Sequence, residues 1–132
     1  MGDTKLEALI PNIMVEDVNE TIKYYEKFLG FQKIMSVPAE GQFDWAMIAR
    51  DGVNLMLQKR KSIVDEYPKF HGQAVGGALI FYISVKDIES LYAELELQVT
   101  IYTKLHKTFY GRKEFTIEDC NGYLLTFAED SR

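Results

Sequence analysis

Apolar and polar residues alternate from Leu6 to Val15 and the stretch ends on β-branched side chains, which predicts a strand over 6–15. Asp17 then stands where a helix N-cap is needed, and Glu20 three residues on completes a capping-box pattern. Val18, Ile22, Tyr25 and Leu29 recur at helical spacing, and Gly30 supplies a left-handed stop. Strands follow at 31–37, 43–49 and 53–58, the last two joined by Asp51-Gly52, a strong hairpin signal. Residues 59–77 show no clear period and form a connector, in which the apolar Tyr67 and Phe70 predict that part of it packs down. The plan then starts again with a strand over 79–85 and a helix capped by Asp87, with Ile88, Leu91, Tyr92 and Leu95 on its buried face. A strand over 99–105, a loop from His106 to Gly111, and a hairpin of 113–118 with 123–128 around Asn121-Gly122 complete it. Leu97-Gln98 replaces the Leu29-Gly30 stop, so the second helix should end less cleanly.

The second half restates the first at an offset of 70. Ala8, Leu9, Ile10, Ile13, Val15 and Asp17 recur as Ala78, Leu79, Ile80, Ile83, Val85 and Asp87, and Gly52-Val53-Asn54-Leu55 lines up with Gly122-Tyr123-Leu124-Leu125. The chain is therefore two copies of a β-α-β-β-β module, about 6–58 and 78–129, joined by the connector 59–77. Modules of about 65 residues would each be marginal alone, so residues 1–132 are expected to form one domain with a shared core.

Composition narrows the partners. The 132 residues are 47% hydrophobic with a net charge of −5, and no basic stripe is present to neutralise phosphates, which argues against nucleic acid or an acidic membrane. Lys59-Arg60-Lys61 is expected to be solvated loop. No apolar run approaches the ~20 residues of a membrane span. The opening Met1-Gly-Asp-Thr-Lys-Leu6 carries an acid early and is unlike a signal peptide. A single cysteine, Cys120, excludes an internal disulfide and fits a reducing, cytoplasmic setting.

Two such modules, each opening on a strand that ends Val-x-Asp, resemble the vicinal oxygen chelate superfamily of glyoxalases, dioxygenases and bleomycin-resistance proteins. Pro11-Asn-Ile-Met-Val-Glu-Asp-Val18 with Tyr24-Tyr-Glu-Lys-Phe-Leu-Gly-Phe31 resembles its opening signature, and Glu114-Phe-Thr-Ile-Glu-Asp-Cys-Asn-Gly-Tyr-Leu-Leu-Thr-Phe127 its closing one. The resemblance implies an α+β fold in which each module is a curled mixed sheet, with helices on the convex face and a ligand cavity on the concave face.

Strand periodicity selects the residues facing that cavity. They are Ile10, Asn12 and Met14 on the first strand. Pairing Trp45 with Gln58, Met47 with Met56 and Ala49 with Asn54 adds Phe43, Trp45, Met47, Asn54, Met56 and Gln58. The repeat carries this onto Ile80, Tyr82, Ser84, Phe115, Ile117, Leu124 and Thr126. Metal-binding members of the superfamily place ligands on the first and last strand of each module, here Ile10, Met56, Ile80 and Thr126. Divalent ions need imidazole, thiolate or carboxylate donors, so no metal and no other cofactor is expected. His71 and His106 lie in loops, where a histidine is more often a surface or packing residue than a ligand. Cys120 has no activating base in sequence reach. Glu118-Asp119 and Asp65-Glu66 are explained by solvation.

The inward set is apolar and aromatic with a few polar points, the make-up of a small-molecule site. The ligand-binding candidates are Asn12, Phe43, Trp45, Met47, Asn54, Met56, Gln58, Tyr82, Phe115 and Thr126, with no catalytic residue assigned. This resembles the bleomycin-resistance type, in which a metal-free homodimer sequesters a planar cationic drug. The competing expectation is an enzyme, either a glyoxalase-like lyase or isomerase with displaced ligands or a metal-free catalyst using Tyr82, Tyr102 or a loop histidine as acid or base. A non-catalytic sensor or interaction subunit is a third.

Overall fold

In the computed structural model, which describes residues 2–130, the N-cap pattern at Asp17 is realised in full. The Asp17 carboxylate accepts the Glu20 N–H at 3.0 Å, α1 runs Val18–Leu29, and Gly30 closes it at φ 69°. The stripe Val18, Ile22, Tyr25 and Leu29 is buried, and Thr21 is buried with it. In front of α1 lies β1 (Asn12–Val15), and behind it β2 (Gln32–Val37), β3 (Trp45–Arg50) and β4 (Val53–Lys59). These four form one mixed sheet in the order β1-β4-β3-β2, with β1 parallel to β4 and the other pairs antiparallel. The second module builds the same sheet from β5 (Ile80–Ser84), β6 (Thr100–Lys107), β7 (Arg112–Glu118) and β8 (Leu124–Asp130), in the order β5-β8-β7-β6. Its helix α3 (Ile88–Leu95) is capped by Asp87 and ends without a left-handed residue, at a Glu96 of helical backbone.

Four expectations are corrected. The alternating stretch 6–11 forms no strand, and Leu6 and Leu9 are exposed, because alternation without a neighbouring strand to pair with has no ladder to join. The connector contains a helix, α2 (Arg60–Glu66), and a short 3-10 turn, Pro68–Phe70. What packs down from it is Ile63, while Tyr67 and Phe70 stay half-exposed against each other. Arg60 is not solvated loop: its guanidinium grips Glu16 at the end of β1 and the Gln73 carbonyl at 2.8 Å. His106 lies on β6 and not in a loop.

The helix-side faces of the two sheets share one core. Ala46, Ile48, Leu55 and Leu57 of the first sheet and Phe115, Ile117, Leu125 and Phe127 of the second are all buried in it, together with Tyr25, Ile88 and Leu95. The modules are also tied by polar contacts that sequence reading did not reveal. Tyr25 donates its hydroxyl to Asp119 Oδ2 at 2.5 Å. Asn121 donates to Thr21 Oγ1 at 2.9 Å, and Tyr123 donates to the Met14 carbonyl at 2.6 Å. Asp119 is not a solvated strand-end charge: it is 6% exposed, and its other oxygen accepts the N–H groups of Asn121 and Tyr123. Gly76 (φ 86°) lies flat on this turn, where a Cβ would stand 2.6 Å from the Asn121 carbonyl oxygen.

Burial pushes the Asp119 carboxyl above its usual value of 3.8, although its hydrogen bonds pull the other way. A carboxyl raised in the folded state binds its proton more readily there than in the unfolded chain, so protonation stabilises the fold. That stabilisation is complete below the unfolded value and is lost as pH rises through the folded one. The stability difference between wild type and Asp119→Asn should therefore move in favour of wild type as pH is lowered from 7 towards 4. Urea unfolding at a series of pH values measures it, and a flat difference would show that Asp119 does not titrate abnormally.

Candidate functional site

The face of each sheet turned away from the shared core is where the candidate residues were expected. On the first sheet the predicted register is observed: Trp45 pairs with Gln58, Met47 with Met56 and Ala49 with Asn54. Two rows of side chains cross this open face. One is Met35, Met47, Met56 and Asn12, and the other is Val37, Trp45, Gln58 and Met14. Met35 and Val37 belong to the edge strand β2 and had not been assigned to a face, although their period-two spacing carries that information. Trp45, Met47, Met56 and Asn54 are half-buried, as befits a surface with no layer above it. Asn12 donates to Gln58 Oε1 at 2.7 Å, and Gln58 spends its amide hydrogens on Ser62 and Glu66 of α2. Gln58 is thus buried and committed to joining α2 to the sheet, and Asn12 is the polar group left at the surface. Phe43 precedes β3 and does not join this face; it packs against the core, with the Lys33 ammonium 4.6 Å from its ring centre.

In the second module the expected face is half right. Tyr82 and Thr126, neighbours in the β5–β8 ladder, lie on the open face with Ile80, Ser84 and Leu124. Phe115 and Ile117 do not. They pair with Phe127 and Leu125 and point into the core, where Phe115 is fully buried edge-on to Tyr92. The cause is one residue of register. Tyr82 stands 70 residues after Asn12 and Thr126 70 after Met56, but Thr116, the partner of Thr126, stands only 69 after Met47, the partner of Met56. The first hairpin turns through the two residues Asp51-Gly52 between paired Arg50 and Val53, whereas the second turns through the three residues 120–122 between Asp119 and Tyr123, joined by the Asp119 N–H to the Tyr123 carbonyl at 2.8 Å. The extra residue in that turn restores the offset at β8, with Gly122 at φ 89° making the tight reversal. Since strand side chains alternate, a slip of one moves every residue of β7 to the opposite face. Arg112, Glu114, Thr116 and Glu118 occupy the open face in place of the predicted aromatics.

That substitution changes the chemistry of the second face. Glu114 is 7% exposed, and its Oε2 accepts the hydroxyls of Tyr82 at 2.6 Å and Tyr110 at 2.8 Å. Holding a proton between phenol and carboxylate raises the pKa of both tyrosines. Thr116 and Thr126 share a hydrogen bond at 2.8 Å, and the Arg112 guanidinium lies 5.8 Å from the Tyr82 ring centre. His106 is opposite Glu114 in the β6–β7 ladder, with Nδ1 2.8 Å from the Lys104 carbonyl. The Cys120 thiol lies outside both faces, pushed up to about 11 chiefly by burial, so it remains a thiol at neutral pH.

Ile10, Met56, Ile80 and Thr126, the places for a metal in this architecture, offer no imidazole or carboxylate. Their ladder neighbours Asn12 and Tyr82 add only an amide and a phenol. This donor set does not fit a divalent ion. Among the described residues no group of three His, Cys, Asp or Glu side chains is placed to hold one.

A cavity of about 610 Å³ lies elsewhere, between the end of α1, the Asp51-Gly52 turn, the end of β5 and α3. Its rim is already committed: Arg50 donates to the Leu29 carbonyl at 2.9 Å, and Glu129 accepts the N–H groups of Asp87 and Ile88. None of the predicted ligand-binding residues lines it.

Two tandem βαβββ modules with mixed sheets, sharing a core through their helix sides, define the vicinal oxygen chelate fold. The family model described as the Glyoxalase/Bleomycin resistance protein/Dioxygenase superfamily matches residues 8–127, and the chain belongs to that superfamily. No curated protein sequence matches it. Among solved structures it is similar to TioX from Micromonospora sp. ML1, at TM-score 0.73 and 15% identity over 94% of this chain and 98% of that one. A superfamily member from Sphaerobacter thermophilus aligns at TM-score 0.75 and 19% identity, over 94% and 98%. The bleomycin-binding protein from bleomycin-producing Streptomyces verticillus, complexed with copper(II)-bleomycin, aligns at 0.65 and 21%, over 94% and 96%. At these identities the likeness is one of fold. Among the described residues no helix is long and apolar enough to cross a membrane.

The Glu114 node can be checked directly. Replacing Glu114 by Gln removes the charge that holds the Tyr82 and Tyr110 protons, so both should ionise at lower pH than in wild type. A difference titration of tyrosinate absorbance measures this, with Tyr82→Phe and Tyr110→Phe assigning the two components.

Proposed function

We propose that this protein is a metal-free small-molecule binding protein of the bleomycin-resistance type, cytoplasmic, which sequesters a planar aromatic cation against its open sheet faces. The observation that carries this is the first open face, where Trp45, Met35, Met47 and Met56 lie half-buried to exposed with Asn12 beside them and no layer above. Trp45 offers a flat stacking surface, and thioether side chains conform to a ligand of irregular outline. The fold is shared with a bleomycin-binding protein solved in complex with copper(II)-bleomycin, which supports a small-molecule binding role here. Binding is favoured over acid–base catalysis because the tyrosines of the second face, with their pKa values raised, are poor proton donors at neutral pH.

Sequestration needs a cover, and a second copy of the chain is the partner we assign. Met35 and Val37 on the first open face and Ile80 and Tyr82 on the second are each 54–58% exposed, and a second copy would remove that apolar surface from water. Sedimentation at micromolar concentration should give a dimer; a monomer would leave the faces uncovered and count against sequestration.

Trp45 is the single tryptophan and reports on its own face. Titration with proflavine, a planar cation, should quench its emission saturably and raise the melting temperature, and Trp45→Ala should lose most of that rise. Unchanged emission and an identical melting shift in Trp45→Ala would remove this face from the binding site.

A further inference from the structure

The second open face carries a group that the binding function above does not explain. Glu114 is the one carboxylate of that face that is buried: it is 7% exposed, beneath the rings of Tyr82 and Tyr110. Burying a carboxylate is costly unless its oxygens are satisfied. Both hydroxyls donate to the same oxygen, Oε2, and among the described residues Oε1 accepts no hydrogen bond from the protein and is not sealed from solvent, while Glu114 takes part in no ion pair within 4 Å. Arg112, two residues away on the same face, makes no direct ion pair with it. Its guanidinium is placed over the Tyr82 ring, and its buried Nε has no partner either. The face therefore presents a carboxylate oxygen with an open acceptor position, framed by Tyr82 at 54% exposure and Tyr110 at 52%. Phe109, fully exposed, packs edge-on to Tyr110 with ring centres 5.0 Å apart.

A carboxylate flanked by exposed aromatic rings is the arrangement that recognises an organic cation, by a charge-assisted hydrogen bond and by the negative faces of the rings. The placement of Arg112 over Tyr82 shows that this ring already accommodates a cation on one side. The geometry points to Glu114 as the anchor for a ligand's ammonium or amidinium group, with the rings of Tyr82 and Tyr110 as its aromatic seat; this rests on the binding function proposed above. The two open faces then differ in task. The face of Trp45 and the methionines takes the flat body of a ligand without regard to charge, and the face of Glu114 selects for the cation.

A matched pair of probes tests this: naphthylmethylamine, protonated at neutral pH, and the neutral naphthylmethanol of nearly the same shape. Calorimetric titration of wild type should show the amine bound about tenfold more tightly than the alcohol, the scale of one charge-assisted hydrogen bond over a neutral contact. Glu114→Gln, which keeps an acceptor for the two hydroxyls, should bring the amine down to the alcohol and leave the alcohol unchanged. Tyr82→Phe, which keeps the charge, should retain the preference, and it serves if Glu114→Gln fails to fold. Equal binding of both probes to wild type, or a preference that survives Glu114→Gln, overturns the anchor while leaving the binding function standing. If neither probe binds wild type, the binding function fails and the anchor with it.

Discussion

The buried carboxylate of Asp119 is the constraint on which the arrangement of the two modules depends. It sits in the β7–β8 turn, organises that turn by accepting two of its N–H groups, and reaches across to the Tyr25 hydroxyl in the middle of α1. Burying a carboxylate this deep is costly, and here each oxygen accepts at least one hydrogen bond. One of the two oxygens of the turn's carboxylate is thus satisfied by α1 of the other module. Thr21 and Asn121 make a second link beside it, and Gly76 leaves room for the backbone to pass. Apolar burial joins the helix sides of the sheets without much directional preference; these polar contacts fix how they meet.

The same turn decides what the second open face presents. Its extra residue shifts β7 by one against the repeat, sending Phe115 and Ile117 into the core and bringing Glu114 and Thr116 to the surface. A duplicated module has thus become two unlike surfaces. One is apolar, built of methionine and tryptophan; the other is polar, built around one carboxylate and two tyrosines. Two equal faces would offer the same chemistry twice, whereas these two differ in residue type and in charge.

Much of this was legible from the chain. Asp17, Gly30 and Asp87 act locally, through caps that need only their own neighbours, and the first hairpin is set by a two-residue turn with a known register. Trp45, Met47 and Met56 were placed on the right face for that reason. The errors have a common source. The repeat puts Phe115 on the open face only if it holds through β7, and Asp119 looks solvated in sequence because nothing near it is a partner. Its partner, Tyr25, is 94 residues away. Phe43 was counted as part of β3, but the ladder begins at Trp45 and the ring turns to the core.

The sequence by itself determined the duplication, the βαβββ order of each module and the lack of imidazole or carboxylate at Ile10, Met56, Ile80 and Thr126, because periodicity, capping and residue type are local properties. Only the tertiary structure decided the register of β7, the burial of Asp119 and hence the face on which Glu114 stands. Strand pairing and the approach of α1 to a distant turn are long-range contacts, and a single residue of turn length, invisible to periodicity, is enough to exchange the two sides of a strand.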